Sequence, residues 1–281
     1  MERVCRCDCW DLNNIHMSSK RQTNLYHCTK CDSLLKILAS KYFRYSYCLE
    51  EYFLHKGDGF SLEKLAYAII CFADLYSDEL EDHMHRFNAD SYIMMEKTWA
   101  KGKKICPVIY YDRDSWSHWA FLAMILYTYD LDKDIASVIE INHQVDEEGA
   151  RLIERVHKLY KSIEIFRPFL KKYEGQYYIK DKGSFSDETT EFFLEREWRS
   201  IPIVTGGERY FLDFDDYLNE EIRNKASQEL LDHNYCIRFD WGDIKQIGCK
   251  EGEKSVIIHA IRESFGVDED EAENKIIIIH K

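Results

Sequence analysis

The densest chemistry in this sequence is Glu195-Arg196-Glu197-Trp198-Arg199, inside the run from Phe192 to Pro202. Side chains on a strand repeat every second residue, so Glu195, Glu197 and Arg199 are expected on one face and Leu194, Arg196 and Trp198 on the other. The two carboxylates then stand about 7 Å apart. Facing a pocket, such a set stabilises developing positive charge, takes up a proton or grips an anion. Facing water, it is an ordinary charged sheet edge.

Other reactive residue types are less organised. Asp74, His83, His85 and the glutamates are side-chain types found in metal-dependent hydrolases, but His83 and His85 are two apart on an expected helix and point to different faces. Cys5, Cys7 and Cys9 alternate as on a strand edge, and with Cys28-x-x-Cys31 they do not make the paired CxxC framework of a structural zinc site. The expectation is reduced thiols and no metal.

Composition narrows the function classes. With 281 residues, 45% hydrophobic, only 3 prolines and 12 glycines, the chain can bury a large core. Its 38 basic and 51 acidic residues give a net charge of −13, which disfavours indiscriminate capture of nucleic acid or anionic membrane. The clusters Lys101-Gly102-Lys103-Lys104 and Lys171-Lys172 read as solvated turns or helix ends. The amino-terminal residues lack the apolar core of a signal peptide, and the longest apolar run, Ala120 to Tyr127, is too short for a membrane span, so a cytoplasmic protein is expected.

The elements that must position these residues follow from periodicity. A strand is expected at Asn24–Thr29, carrying His27 near its end, then a helix from Asp32, read as its N-cap. An aromatic extended segment spans Tyr42 to Glu51, a polar loop lies around Gly57-Asp58-Gly59, and apolar strands are expected at Ala66–Phe72, Ser91–Met95 and Ile105–Tyr111, with a helix at Asp78–Phe87. From 115 to 173 the pattern becomes helical, with Trp116, Trp119, Leu122 and Leu126 at helical intervals, which reads as a helical insertion within one α+β domain spanning 1–281. Strands return at 176–179, 191–201 and 209–212, then a helix at 219–234, strands near 236–239 and 244–247, a helix at 255–265 and a strand at 276–279.

In this order, Tyr26-His27-Cys28-Thr29, Tyr45-Ser46-Tyr47-Cys48-Leu49-Glu50, Cys71-Phe72-Ala73-Asp74 with His83 downstream, Pro107-Val108-Ile109-Tyr110, Glu195 to Arg199, and Asp243-Ile244-Lys245-Gln246-Ile247 resemble the AbiGi abortive-infection family of phage-resistance proteins. A more distant likeness is to ADP-ribosyltransferases of the His-Tyr-Glu type, including DarT-like toxins. It implies an ADP-ribosyltransferase-like mixed sheet with NAD as substrate.

That likeness implies roles. His27 would hydrogen-bond the adenosine ribose with Thr29 steadying it, and Tyr45 or Tyr47 would stack on nicotinamide, with Tyr45 favoured. Glu197, or Glu195 beside it, would stabilise the oxocarbenium-like charge or take the acceptor's proton. Arg199 would neutralise the pair or grip the pyrophosphate, with Arg44 a second phosphate candidate. The implied protein is a defence toxin modifying nucleic acid or protein. The alternative is a non-enzymatic antitoxin, bound to a partner protein of the same defence system through its acidic surface or aromatic helical segment.

Overall fold

A computed structural model of the chain describes residues 24–56, 59–112, 115–142, 147–179, 183–204 and 209–279. Cys5, Cys7 and Cys9 lie outside them, as does most of the expected loop at 57–59.

The elements run β1 (Asn24–Thr29), α1 (Cys31–Ser40), β2 (Tyr42–Arg44), β3 (Ser46–Lys56), β4 (Gly59–Leu75), α2 (Leu80–Arg86), β5 (Ser91–Met95), α3 (Lys97–Gly102), β6 (Cys106–Pro107) and β7 (Ile109–Tyr111). Two long helices follow, α4 (Trp116–Asn142) and α5 (Glu147–Phe166), and then β8 (Leu170–Lys172). Four two-residue strands come next, β9 (Glu174–Gly175), β10 (Tyr178–Ile179), β11 (Ser184–Phe185) and β12 (Thr190–Glu191). The chain continues through β13 (Glu197–Ser200), β14 (Phe211–Asp213), α6 (Phe214–Leu218), α7 (Glu220–Asp232), β15 (Cys236–Arg238), β16 (Ile244–Cys249), α8 (Lys254–Phe265), α9 (Glu269–Glu273) and β17 (Ile276–Ile278).

The class is α+β, built on a mixed sheet in the order β17-β16-β5-β1-β4-β13-β6, with β3 and β14 also on β4. β4 organises it. From Leu65 to Leu75 it is almost entirely apolar and buried, the composition of a strand covered on both faces. Its long register serves β3 and β14 at one end and β1 and β13 at the other. β16 and β17 pair in parallel, which needs a crossover, and α8 supplies it, burying Ile257, Ile258 and Ile261. Gly248 on β16 admits the Tyr92 ring of β5; a Cβ there would fall inside that ring.

Helix α1 buries Leu34 and Leu38, four apart, and presents its first turn to Asp90, whose Oδ1 accepts the Cys31 N–H at 2.8 Å. Asp32 therefore sits in the first turn and is not the N-cap; Lys30 holds that position. Between β7 and β8, which pair in parallel, α4 and α5 pack together. The expected strand over 105–111 is broken at Val108 into β6 and β7, because β6 joins β13 and β7 joins β8.

The largest departure falls on the catalytic stretch. Phe192–Glu195 is a turn of 3-10 helix, Arg196 is left-handed at φ 43°, and extended backbone starts only at Glu197. The expected continuous strand over 191–201, with Glu195 on it, is thus incorrect. Arg196 causes the break: its Nε donates to the Asp74 carbonyl at 2.6 Å and its guanidinium pairs with Glu79, contacts that hold the left-handed turn.

Candidate functional site

One cavity of about 640 Å³ opens where β1, β3, β4, β8 and β13 converge. His27 and Thr29 reach it from β1, Arg44 and Tyr47 from the β2–β3 edge, His83 from α2, and Lys171 and Lys172 from β8. Glu195, Glu197 and Arg199 line it from the 3-10 turn and β13. The kink at Arg196 does not separate the two glutamates. It turns Glu195 back so that both carboxylates meet one ammonium: Lys171 Nζ lies 2.9 Å from Glu195 Oε2 and 2.7 Å from Glu197 Oε2.

The ion cluster is almost closed to water. Arg199, 1% exposed, donates from Nε to Glu197 Oε1 at 2.6 Å and from Nη2 to Oε2 at 3.0 Å, pairs with Glu50 of β3, and gives Nη1 to the Pro168 carbonyl at 2.6 Å. Burial opposes the Glu197 charge, but Arg199 and Lys171 outweigh it and hold the carboxyl well below the usual carboxylate range. Glu195 goes the other way: burial pushes its carboxyl up, with Lys171 only partly opposing. Glu195 Oε1 is buried and finds no hydrogen-bond partner among the described residues.

His27 Nδ1 lies 2.8 Å from the Cys71 carbonyl, and its ring packs at 5.1 Å from Phe43 and 5.5 Å from Phe72. Burial lowers its pKa, so the ring is neutral, and because a carbonyl only accepts, Nδ1 carries the proton and Nε2 keeps its lone pair. Tyr47 lines the cavity and donates its hydroxyl to the Arg209 carbonyl. Tyr45, in the break between β2 and β3, does not line it, and its hydroxyl is 2.9 Å from Ser200 Oγ inside the core, so of the two tyrosines it is Tyr47 and not the favoured Tyr45 that reaches the cavity. Arg44 stands exposed at the rim, 3.5 Å from Gln228, whereas the enclosed Arg199 guanidinium is committed to protein partners and is no free pyrophosphate grip.

A family model described as "Putative abortive phage resistance protein AbiGi, antitoxin" matches residues 41–250, well over half of the chain. The chain belongs to the AbiGi family. No curated protein and no solved structure matches it. The AbiGi match takes in Arg44, Tyr47, Lys171, Glu195, Glu197 and Arg199, while His27 and Thr29 precede it.

Lys171 escaped the sequence reading. Paired with Lys172 it looks like a solvated cluster, yet it is enclosed by two glutamates, and Lys172 is tied to Glu51 at 2.6 Å. Its signal was the apolar Leu170 before it, at the end of a helix-to-strand transition. His83 also lines the site. Burial lowers its pKa to about 4, so it is neutral near pH 7. Among the described residues no cluster of His, Cys, Asp or Glu could hold a metal, and no described helix is long and apolar enough to cross a membrane.

Proposed function

We propose that this AbiGi protein is the antitoxin of an abortive-infection system and that it engages its toxin through α4. The supporting observation is an uncovered aromatic stripe: Trp116, Trp119 and Tyr127 are 90%, 56% and 72% exposed, with Met124 and Leu131 on the same side of the helix at 3.6 residues per turn. Side chains of this type concentrate binding energy at protein interfaces, and an apolar helix face left exposed beside the contacts of α4 with α5 and β3 is a surface for a partner. The family description as antitoxin accords with such a partner. Co-expression with the toxin of the same system tests this. A W116A/W119A/Y127S variant with unchanged thermal stability loses co-purification and neutralisation; retention of both by that variant rules the surface out.

A second reading is favoured by one placement, the convergence of His27, Tyr47, Glu195 and Glu197 on a single cavity. In that reading the protein takes NAD there in an ADP-ribosyltransferase-like arrangement and transfers ADP-ribose to a nucleic acid or protein. His27 Nε2 accepts from a ribose hydroxyl and Tyr47 lies against the ring. Incubation with labelled NAD and cell extract tests it; transfer lost in His27→Ala supports the reading, and absence of transfer under all conditions rejects it.

A further inference from the structure

The buried cluster at the cavity contains two cations, Lys171 and Arg199, and three carboxylates, Glu50, Glu195 and Glu197. With all three ionised it carries an excess negative charge largely enclosed by protein, only Glu50 at its edge being 19% exposed, and low-polarity surroundings penalise that excess. Neutralising one carboxylate balances it. Glu197 and Glu50 each receive two donors from the Arg199 fork. Among the described residues Glu195, 5% exposed and lining the cavity, receives only Lys171, on Oε2, while its buried Oε1 has no partner. Besides Lys171 and Glu197, the groups acting on Glu195 from neighbouring elements are Arg86 of α2, which attracts only weakly, and Tyr110 of β7, while the neutral His83 of α2 stands nearer Lys171 and Glu197.

We propose that Glu195 is the hydrogen-bond donor of this cavity, a neutral carboxylic acid offering Oε1–H to a phosphate oxygen of a nucleotide, while Glu197 is a fixed charge that holds Lys171 and Arg199. The ligand class follows from the lining. Lys30, Arg44, Lys171, Lys172 and Arg199 face it against Glu50, Glu51 and Glu197, a local positive excess on a chain of net charge −13. Tyr47, Phe87 and Tyr177 supply aromatic faces for a base. An O–H donated to an anionic oxygen is a strong contact, whereas an ionised Glu195 would repel the same ligand. The proposal shares its cavity with the NAD reading but goes beyond it, since it concerns binding and protonation and requires no transfer.

The test uses the full chain and adenosine monophosphate as probe. Infrared spectra at pH 7 show a protonated-carboxyl C=O band that Glu195→Gln removes. Calorimetry shows wild-type affinity falling as pH rises through the Glu195 titration, about tenfold per unit above it. Glu195→Ala loses at least about tenfold in affinity at pH 7, and Glu195→Gln, whose amide keeps a donor at this position, restores binding and removes the pH dependence. The proposal is overturned by a missing band, a band that survives Glu195→Gln, failure of the probe to bind the wild type, or loss of binding in Glu195→Gln. A wild type that shows the band and binds the probe yet transfers no label from NAD loses the transferase reading alone.

Discussion

Glu197 and Arg199, two residues apart on one strand, face each other as a closed fork, Nε to Oε1 at 2.6 Å and Nη2 to Oε2 at 3.0 Å. Such a pair inside one strand is possible because alternate side chains share a face. Its second consequence is that Arg199 also reaches Glu50 and the Pro168 carbonyl, so β13, β3 and the end of α5 are tied at one guanidinium.

Glu197→Gln removes the one carboxylate shared by Lys171 and Arg199, leaving Arg199 only Glu50 and Lys171 only Glu195. Breaking a buried pair this way costs about 3–5 kcal/mol, so denaturant unfolding should show a clearly lowered midpoint with little change in slope. A midpoint within experimental error of wild type would mean the cluster is hydrated.

Two buried groups set opposite pH limits. His83 has a folded pKa of about 4 against an ordinary 6.5, so the folded state binds fewer protons and stability falls as pH drops from about 6.5 toward 4. Glu195 has a raised folded pKa, so the folded state holds its proton more tightly, and stability falls as pH rises from the ordinary value near 4.5 through the folded one. Thermal melts of His83→Gln should flatten the acid side, and those of Glu195→Gln the alkaline side; unchanged slopes in either variant contradict the corresponding burial.

Gly248→Ala places a methyl against the Tyr92 ring, between β16 and β5. The ring is not the free end of a flexible chain, since the Tyr92 hydroxyl is anchored to Gln246 at 2.6 Å. The expected loss is about 1–3 kcal/mol or more, readable as a lowered melting temperature. Gly248→Ala combined with Tyr92→Ala should lose less than the two single changes added together, because the methyl then has room.

Tyr45→Phe removes the hydroxyl that meets Ser200 Oγ at 2.9 Å, at a cost of about 1 kcal/mol. Because Tyr45 is turned into the core, ligand binding in the cavity should be unaffected, whereas Tyr47→Ala should weaken it. Equal effects of the two changes on binding would contradict this division.

Periodicity and composition alone were enough to determine the α+β class, the β1, β5, α7 and α8 elements to within a few residues, and the helical character of 116–166. Local hydrophobic patterning is a property of neighbouring residues, so it survives without knowledge of the fold. The same alternation rule put Glu197 and Arg199 on one face, and both line the cavity; Glu195 reaches it from the 3-10 turn and not from a strand, and His27 was marked by the likeness to ADP-ribosyltransferases and not by a local rule. Tertiary structure decided the rest. The left-handed turn at Arg196 depends on Asp74 and Glu79, more than a hundred residues away, and no local rule anticipates it. Lys171 is buried because β8 pairs with β7 and faces β13, and Tyr45 turns inward because Ser200 awaits it. Burial pushes the Glu195 carboxyl up while Arg199 and Lys171 hold that of Glu197 down, and neither condition exists until β3, β8 and β13 have come together.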